Sequence, residues 1–482
     1  MRDITYWKNL VQLLRIENKK IRGRIVELIK GREKWKLKTM RYREECIKLK
    51  KIIKKLEKKL SLDKFHIKQD KPKLSHYSIE VIMLFLRSKL LTSCRFRSVS
   101  KVLSIVLLSL NLELKQAKTP SRTCGMLWVK KLGYYCITVE KEKAEDWILL
   151  LDESIGIGKE TLLLILGIRR SQIDFSRPLS VQDMTPLVVK SRESWTGEDI
   201  FAEIEYCKQQ LGKIIYATTD GSSTLKKALR LAQIPHVYDV THAIAIMLEK
   251  LYKKDEKFIK LTKDMGIMRL KLCCSQYAHI MPPNQRSKSR FLNLDIISQW
   301  GTRVINVLEN KKVKEGERDL LSWLLELKPF IIEMQNIMTS IEQLSVLLKY
   351  NGLNQKTYKD CLKILKSNPQ SSKQALFNSL FIDYLDNNMH QRSTKKETIM
   401  CSDDVIETIF GRYKNELNQN PMNGVTDMVL IIPAMTSKLN QEEVMKAIDG
   451  NTVAEIKQWQ KDNLCDSLSV KRNEFYNVKT VG

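Results

Sequence analysis

Three carboxylates of this chain stand where hard-metal chemistry could be assembled. Asp152 follows the apolar run of "DWILLLDES", Asp220 follows "KIIYATTDG", and Glu407 lies within "SDDVIETIFGRYK". The first two read as the ends of β-strands, the edge at which open α/β sheets bind ligands, and Gly221 lets the chain turn tightly after the second. Around Glu407, the residues Ile406, Ile409, Phe410, Tyr413 and Leu417 recur at helical spacing. Glu407 sits at the edge of that stripe, and Lys414 falls within about 20° of it around an ideal helix. Three hard oxygen donors suit Mg²⁺ or Mn²⁺. Two such ions, roughly 3.5 to 4 Å apart, activate an attacking water or 3′-hydroxyl and stabilise the leaving oxygen of a phosphodiester. Without metal, carboxylates that close raise one another's pKa.

Several neighbours compete for these roles. Asp239 in "HVYDVTH" also follows an apolar strand, but it suits the cap of a helix beginning at Thr241. His242 reads as a helix-start histidine. Asp403 and Asp404 lie where acidic residues favour a helix dipole without any catalysis. Glu153 reads as a solvated neighbour, and Trp300 as a core aromatic with base stacking as its alternative.

The elements that must position the acids follow from pattern. "WILLLDES", "TLLLILGIRR" and "LSVQDMTPLVVKS" read as three strands. A helical pattern over 196–211, the strand "KIIYATT", a helix over 225–232 and the strand "HVY" come next, so the sequence predicts an α/β fold with a mixed sheet. From His242 to about 388 the pattern is helical, with breaks at "MPPNQRSKSR" and "LKSNPQSS". The expected organisation is a basic coiled-coil helix over 1–62, a helical DNA-binding domain over 75–140, and a catalytic core over 146–244. A helical insertion over 245–395, the final core helix over 396–435 and a tail over 436–482 complete it.

In the amino-terminal segment an unbroken apolar column recurs every seven residues: Trp7, Leu14, Ile21, Leu28, Trp35, Tyr42, Leu49 and Leu56. Its companion column is half polar and includes Asn18, placed where a buried amide selects the register of a parallel dimer. A homodimer is expected. Helical patterns over 77–91 and 96–111 precede a third, in which Thr119 is placed to cap, Pro120 to occupy the first turn, and Arg122, Lys130 and Lys131 to stay wet. Such helices suit a helix-turn-helix that lays its last helix in the major groove, which makes Arg122, Lys130 and Lys131 candidate DNA contacts.

Charge points to the same partner. Across 482 residues, 83 Lys and Arg against 55 Asp and Glu give a net charge of +28, and residues 1–60 alone hold 21 against 7. The commonest use of such an excess is neutralising phosphates, which releases condensed counterions. Ten cysteines without a CxxC, and six histidines that do not cluster with them, suggest neither a zinc site nor a disulfide framework. The longest apolar runs fall far short of the roughly 18 residues a membrane span needs. A cytoplasmic location without membrane contact is therefore expected.

Taken together, "LLLDES", "TTDGSSTLKKAL" and "SDDVIETIFGRYK" resemble the three acidic motifs of the DDE transposases of bacterial insertion sequences. The resemblance runs from about Trp147 to Pro433. It implies an RNase H-like mixed-sheet catalytic core interrupted by an all-helical insertion, which accounts for the 187 residues between Asp220 and Glu407. It further implies Asp152, Asp220 and Glu407 as the catalytic, metal-binding triad for two Mg²⁺ or Mn²⁺ ions. Double-stranded DNA, as transposon ends and target, becomes the substrate. In one branch of that family a Lys seven residues after the Glu contacts the transposon-end phosphate, which implies that role for Lys414; the Tyr and Arg upstream of the Glu in that branch are Met400 and Asp403 here. The alternatives are a structure-selective nuclease on the same fold and a transposase-derived DNA-binding protein without catalysis.

Overall fold

The structure, a computed structural model, describes residues 4–60, 71–73, 75–109, 119–157, 160–285, 291, 294–310, 313–367, 371–391, 397–416, 424–466 and 468–477. Leu417, the linker residues 61–70 and the breaks at 286–290 and 368–370 lie outside them. The chain divides into two units, the first centred on residues 1–70 and the second holding 71–105 and 116–482.

The first unit is built on α1 (Ile4–Leu60), a single helix of 57 residues. From Leu14 to Leu49 its heptad column faces solvent: Leu28 is 72% exposed, Trp35 67% and Tyr42 56%. Gly23 and Gly31 have open space around them, so they lower helix propensity without serving any close packing.

Three helices precede the sheet: α2 (Ile79–Leu90) and α4 (Arg122–Thr138) in the second unit, and α3 (Phe96–Ser109), whose residues from 106 on fall in the first. Ser121, not Thr119, caps α4 by accepting a hydrogen bond from the Cys124 amide, because the helix starts two residues later than the Pro120 signal suggests. The sheet is formed by β1 (Ala144–Ile157), β2 (Glu160–Arg169), β3 (Thr185–Arg192), β4 (Gly212–Thr219) and β5 (His236–Tyr238), in the order β3-β2-β1-β4-β5. β2 is antiparallel to both β1 and β3, whereas β4 is parallel to both β1 and β5. α5 (Gly197–Leu211) and α6 (Ser223–Leu231) join the last three strands.

Period-two alternation divides the sheet between two cores. Odd residues of β1 (Trp147, Leu149, Leu151) pack with Ile200, Ile204 and Leu225 of α5 and α6. Even residues (Ile148, Leu150) face the opposite core, shared with the remaining helices. Each fully buried Leu or Ile there is worth about 1.5 to 3 kcal/mol.

Then come α7 (Val240–Tyr252), α8 (Glu256–Leu272), α9 (Leu294–Asn310), α10 (Glu315–Leu321), α11 (Trp323–Glu326), α12 (Lys328–Asn351), α13 (Gln355–Ser367) and α14 (Ser372–Met389). α15 (Asp404–Glu416) returns to the sheet. α16 (Ile431–Met435), α17 (Gln441–Gly450), α18 (Val453–Asn463) and α19 (Leu468–Asn477) close the chain. α4 docks on α16 and α17. The approach is so close that a Cβ on Gly133 would lie 1.8 Å from the Leu430 carbonyl oxygen. None of the described helices is long and apolar enough to cross a membrane.

Candidate active site

Asp152 does not end its strand. β1 runs on to Ile157 in antiparallel pairing with β2, so Asp152 faces Leu164 within the ladder. Only the parallel partner β4 stops, after Leu150 pairs with Thr218. The carboxyl edge of the sheet is therefore a step in β1, with Asp152 placed beside the gap where β4 has ended. As an even residue it points into the core face that receives the late helices. The Glu153 amide donates to Asp152 Oδ1 at 2.6 Å.

Asp220 is the first residue after β4. The Ser222 amide donates to its Oδ1 at 2.8 Å, a local turn that competes with continued strand. Gly221 has φ +75° and its missing Cβ is required twice over, since a side chain there would come within 2.4 Å of the Tyr238 ring.

Bringing Glu407 to these two depends on the stretch that enters α15. The Met400 amide donates to the Tyr216 hydroxyl at 2.9 Å, and the Thr218 hydroxyl donates to the Met400 carbonyl at 3.2 Å. Val240 donates to the Cys401 carbonyl, and Leu353 and Ile399 form an isolated bridge. β4, the start of α7 and the end of α12 thus grip residues 399–401 together. α15 then buries Ile406, Ile409, Phe410 and Tyr413, and leaves Glu407 exposed on its flank.

The electrostatics report the result. Asp152 is pushed up to about 7, first by burial and then by the nearby Asp220 carboxylate, with Glu407 adding to the rise and His242 opposing it. Glu407 is raised by burial, eased by His242 and Lys349, and raised further by Asp404 and Asp239. Asp220 and Glu407 therefore both act on Asp152.

Part of the cluster was hidden from sequence reasoning. Asp239 is fully buried and caps α7, whose first residue is Val240, one earlier than expected. Its Oδ2 accepts from the His242 amide at 2.7 Å and lies 3.1 Å from His242 Nδ1, while its Oδ1 accepts from the Asp403 amide at 3.2 Å. A cap and a residue three positions on are neighbours by helix geometry, which is the one signal that joined Asp239 to His242 in advance. The hydrogen bond that its ring donates to the Asp239 carboxylate raises His242 to about 9. Asp403 is 3% exposed, is raised by burial and by Asp239 and Asp152, and its Oδ1 has no hydrogen-bond partner.

Two donor sets could hold cations. Ligand atoms of Asp239, His242 and Asp403 lie within 4.8 Å of one another, though the imidazole is held protonated and a metal there would have to displace that proton. Asp152, Asp220 and Glu407 offer only hard oxygens. Among the described residues, the second oxygens of Asp152 and Asp220 and both oxygens of Glu407 accept no protein hydrogen bond. That set, with the orphaned Asp403 oxygen nearby, has the donor chemistry of a divalent oxygen-seeking ion, although among the described residues its ligand atoms are not gathered within 4.8 Å as those of Asp239, His242 and Asp403 are.

No family model matches the chain. No curated protein matches it. Among solved structures, the Drosophila P element transposase strand transfer complex is similar at 10% identity and a TM-score of 0.38, covering 84% of this chain and 99% of that one.

The basic residues expected to touch DNA are placed less uniformly. Lys130 does not stay wet: it pairs with Asp427 at 2.6 Å. Lys131 donates to the Ile448 carbonyl and is lowered by burial, against the pull of Asp449 and Glu455. Both are drawn in because α4 docks on the C-terminal helices. Arg122 is exposed, without an ion-pair partner among the described residues. Lys414 is exposed, 6.0 Å from the centre of the Phe410 ring. Trp300 is partly buried against the main core.

Proposed function

We propose that this protein is a DNA transposase that binds transposon ends and carries out metal-dependent strand cleavage and strand transfer. The supporting observation is the approach of Asp220 and of Glu407, on a helix 187 residues further on, to Asp152, whose carboxyl both raise. A basic chain has little reason to hold unpaired carboxylates together except to bind cations. The strand order, antiparallel on one side of β1 and parallel on the other, supports an RNase H-like core, and α7 to α14 supply the helical insertion.

Asp152, Asp220 and Glu407 would hold the Mg²⁺ or Mn²⁺. When bound, such ions lower the pKa of an attacking hydroxyl or water and neutralise charge on the departing oxygen. The chain's own part is placement. The Glu153 and Ser222 amides orient Asp152 and Asp220, leaving one oxygen of each free. Asp239 holds His242 as a cation beside Asp152 and Glu407, where it offsets carboxylate repulsion and attracts a phosphate. Lys414 and Arg122 extend the basic surface to the DNA backbone, and α1 pairs two copies through its exposed heptad column.

Incubation with Mg²⁺ and duplex DNA carrying the sequences that flank the coding region tests this reading. Nicking at defined ends followed by joining of the new 3′-ends into a second DNA is the expected result. Cutting without joining would point to a nuclease, and binding without either to a protein that has lost catalysis.

A further inference from the structure

Beyond the carboxylates, α15 carries a second feature. Asp404, Thr408, Arg412 and Asn415 recur at intervals of four, four and three residues, which puts them on one wet face. Two cavities open along that face. One, of about 360 Å³, is lined by Asp404, Thr408 and Arg412 with Lys349 of α12 and Phe175. The other, of about 570 Å³, lies at the far end of α15 and is lined by Arg412 and Asn415 with Arg95 and Ser93 from the turn between α2 and α3. Arg412 belongs to both. It is exposed, and neither it nor Arg95 has a carboxylate partner among the described residues. At the catalytic end, Lys349 is paired with Asp404 at 2.7 Å, and it is one of the two cations that ease Glu407.

We propose that this face of α15 is the track of one DNA strand leaving the carboxylate site, with Lys349, Arg412 and Arg95 taking successive phosphates. The proposal rests on the reading of Asp152, Asp220 and Glu407 as a DNA-cleaving centre and adds the direction in which the strand runs. From Asp404 to Asn415 the helix rises about 16 Å, the axial length a B-form strand covers in about five nucleotides. A partly exposed ion pair such as Lys349 with Asp404 holds weakly in water, so an arriving phosphate exchanges with Asp404 and leaves the lysine beside Glu407. The two cavities, one on each side of Arg412, give the sugars and bases room beneath a backbone pinned at three points. A planar guanidinium suits the middle position, because it grips a phosphate through two donors at once.

The test measures binding of a short labelled duplex, and of the single strand alone, as a function of salt. The full chain is compared with Lys349→Ala, Arg412→Ala, Arg412→Gln and Arg95→Ala, with Lys257→Ala on the exposed side of α8 as control. Each track variant is expected to flatten the slope of log affinity against log salt by about 0.9 on duplex and about 0.7 on single strand, the signature of one lost phosphate contact. The control keeps the parent slope. Parent-like slopes for both Arg412 variants, in protein that binds and cuts DNA, would overturn the track and leave the catalytic reading standing. Flattened slopes in a protein that never cuts DNA would uphold the track and remove the catalytic reading.

Discussion

Asp152 and Asp220 occupy matching steps of the sheet, each two residues beyond Leu150 and Thr218, the last pair of the parallel β1–β4 ladder. Their closeness is thus a property of strand register, and it survives any substitution that leaves the ladder intact. Asp152→Asn, Asp220→Asn and Glu407→Gln are each expected to lower Mg²⁺-dependent strand cleavage by about a thousandfold or more, the scale for removing a group set against developing charge. DNA affinity should stay near the parent value. A variant that retains near-parent cleavage leaves the triad.

The metal-free protein should lose stability as pH rises. Asp152 titrates at about 7 in the fold against an ordinary 3.8, so the fold holds its proton more tightly, and stability falls between those values at about 1.4 kcal/mol per pH unit. His242, raised from 6.5 to about 9, adds a second decline over that window. Thermal melts in chelator across pH 4 to 9 are expected to show both. Asp152→Asn should flatten the lower part and melt higher than the parent near pH 8. Added Mg²⁺ should raise the parent's melting temperature more than the variant's.

Two glycines should respond in opposite directions. Gly133→Ala places a methyl against the Leu430 backbone where α4 docks, which costs about 1 to 3 kcal/mol or prevents docking altogether. Gly23→Ala on α1 meets nothing within 4 Å and should raise helix stability by up to about 1 kcal/mol. Denaturant titrations of the two variants check the contrast.

Charge on α1 selects how two copies would pair. With the Leu14 to Leu49 column in the seam, a parallel pair sets Glu17 against Arg22 and Glu45 against Lys50, with one repulsive match, Lys38 against Arg43. An antiparallel pair would oppose Arg15, Arg22, Lys36, Arg43 and Lys50 among themselves. A parallel dimer is therefore expected by sedimentation, with fluorophores at residue 11 of both copies close enough for efficient energy transfer. Leu28→Lys together with Trp35→Lys should yield monomers with the sheet unit intact. A parent protein that sediments as a monomer would end this reading.

Much of the site is legible in the chain before any fold is known. The strands around Asp152 and Asp220, the apolar stripe beside Glu407 and the cap at Asp239 each follow from periodicity or local hydrogen bonding, which act within one element. The sequence by itself also determined the long α1 and its heptad column, because a seven-residue apolar repeat needs no partner to be recognised. Tertiary structure alone decided where β1 passes its parallel neighbour, since a strand's length is set by the partners on both sides. It alone decided that Asp403 and Asp239 meet, through an amide 164 residues away. It withdrew Lys130 and Lys131 from the surface by docking α4 on helices more than 290 residues later in the chain, and it brought Lys349 of α12 to the flank of α15. The physical reason is common to all of these. Side-chain periodicity reports which face of an element is buried, whereas charge pairing and carboxylate clustering depend on which distant element covers that face.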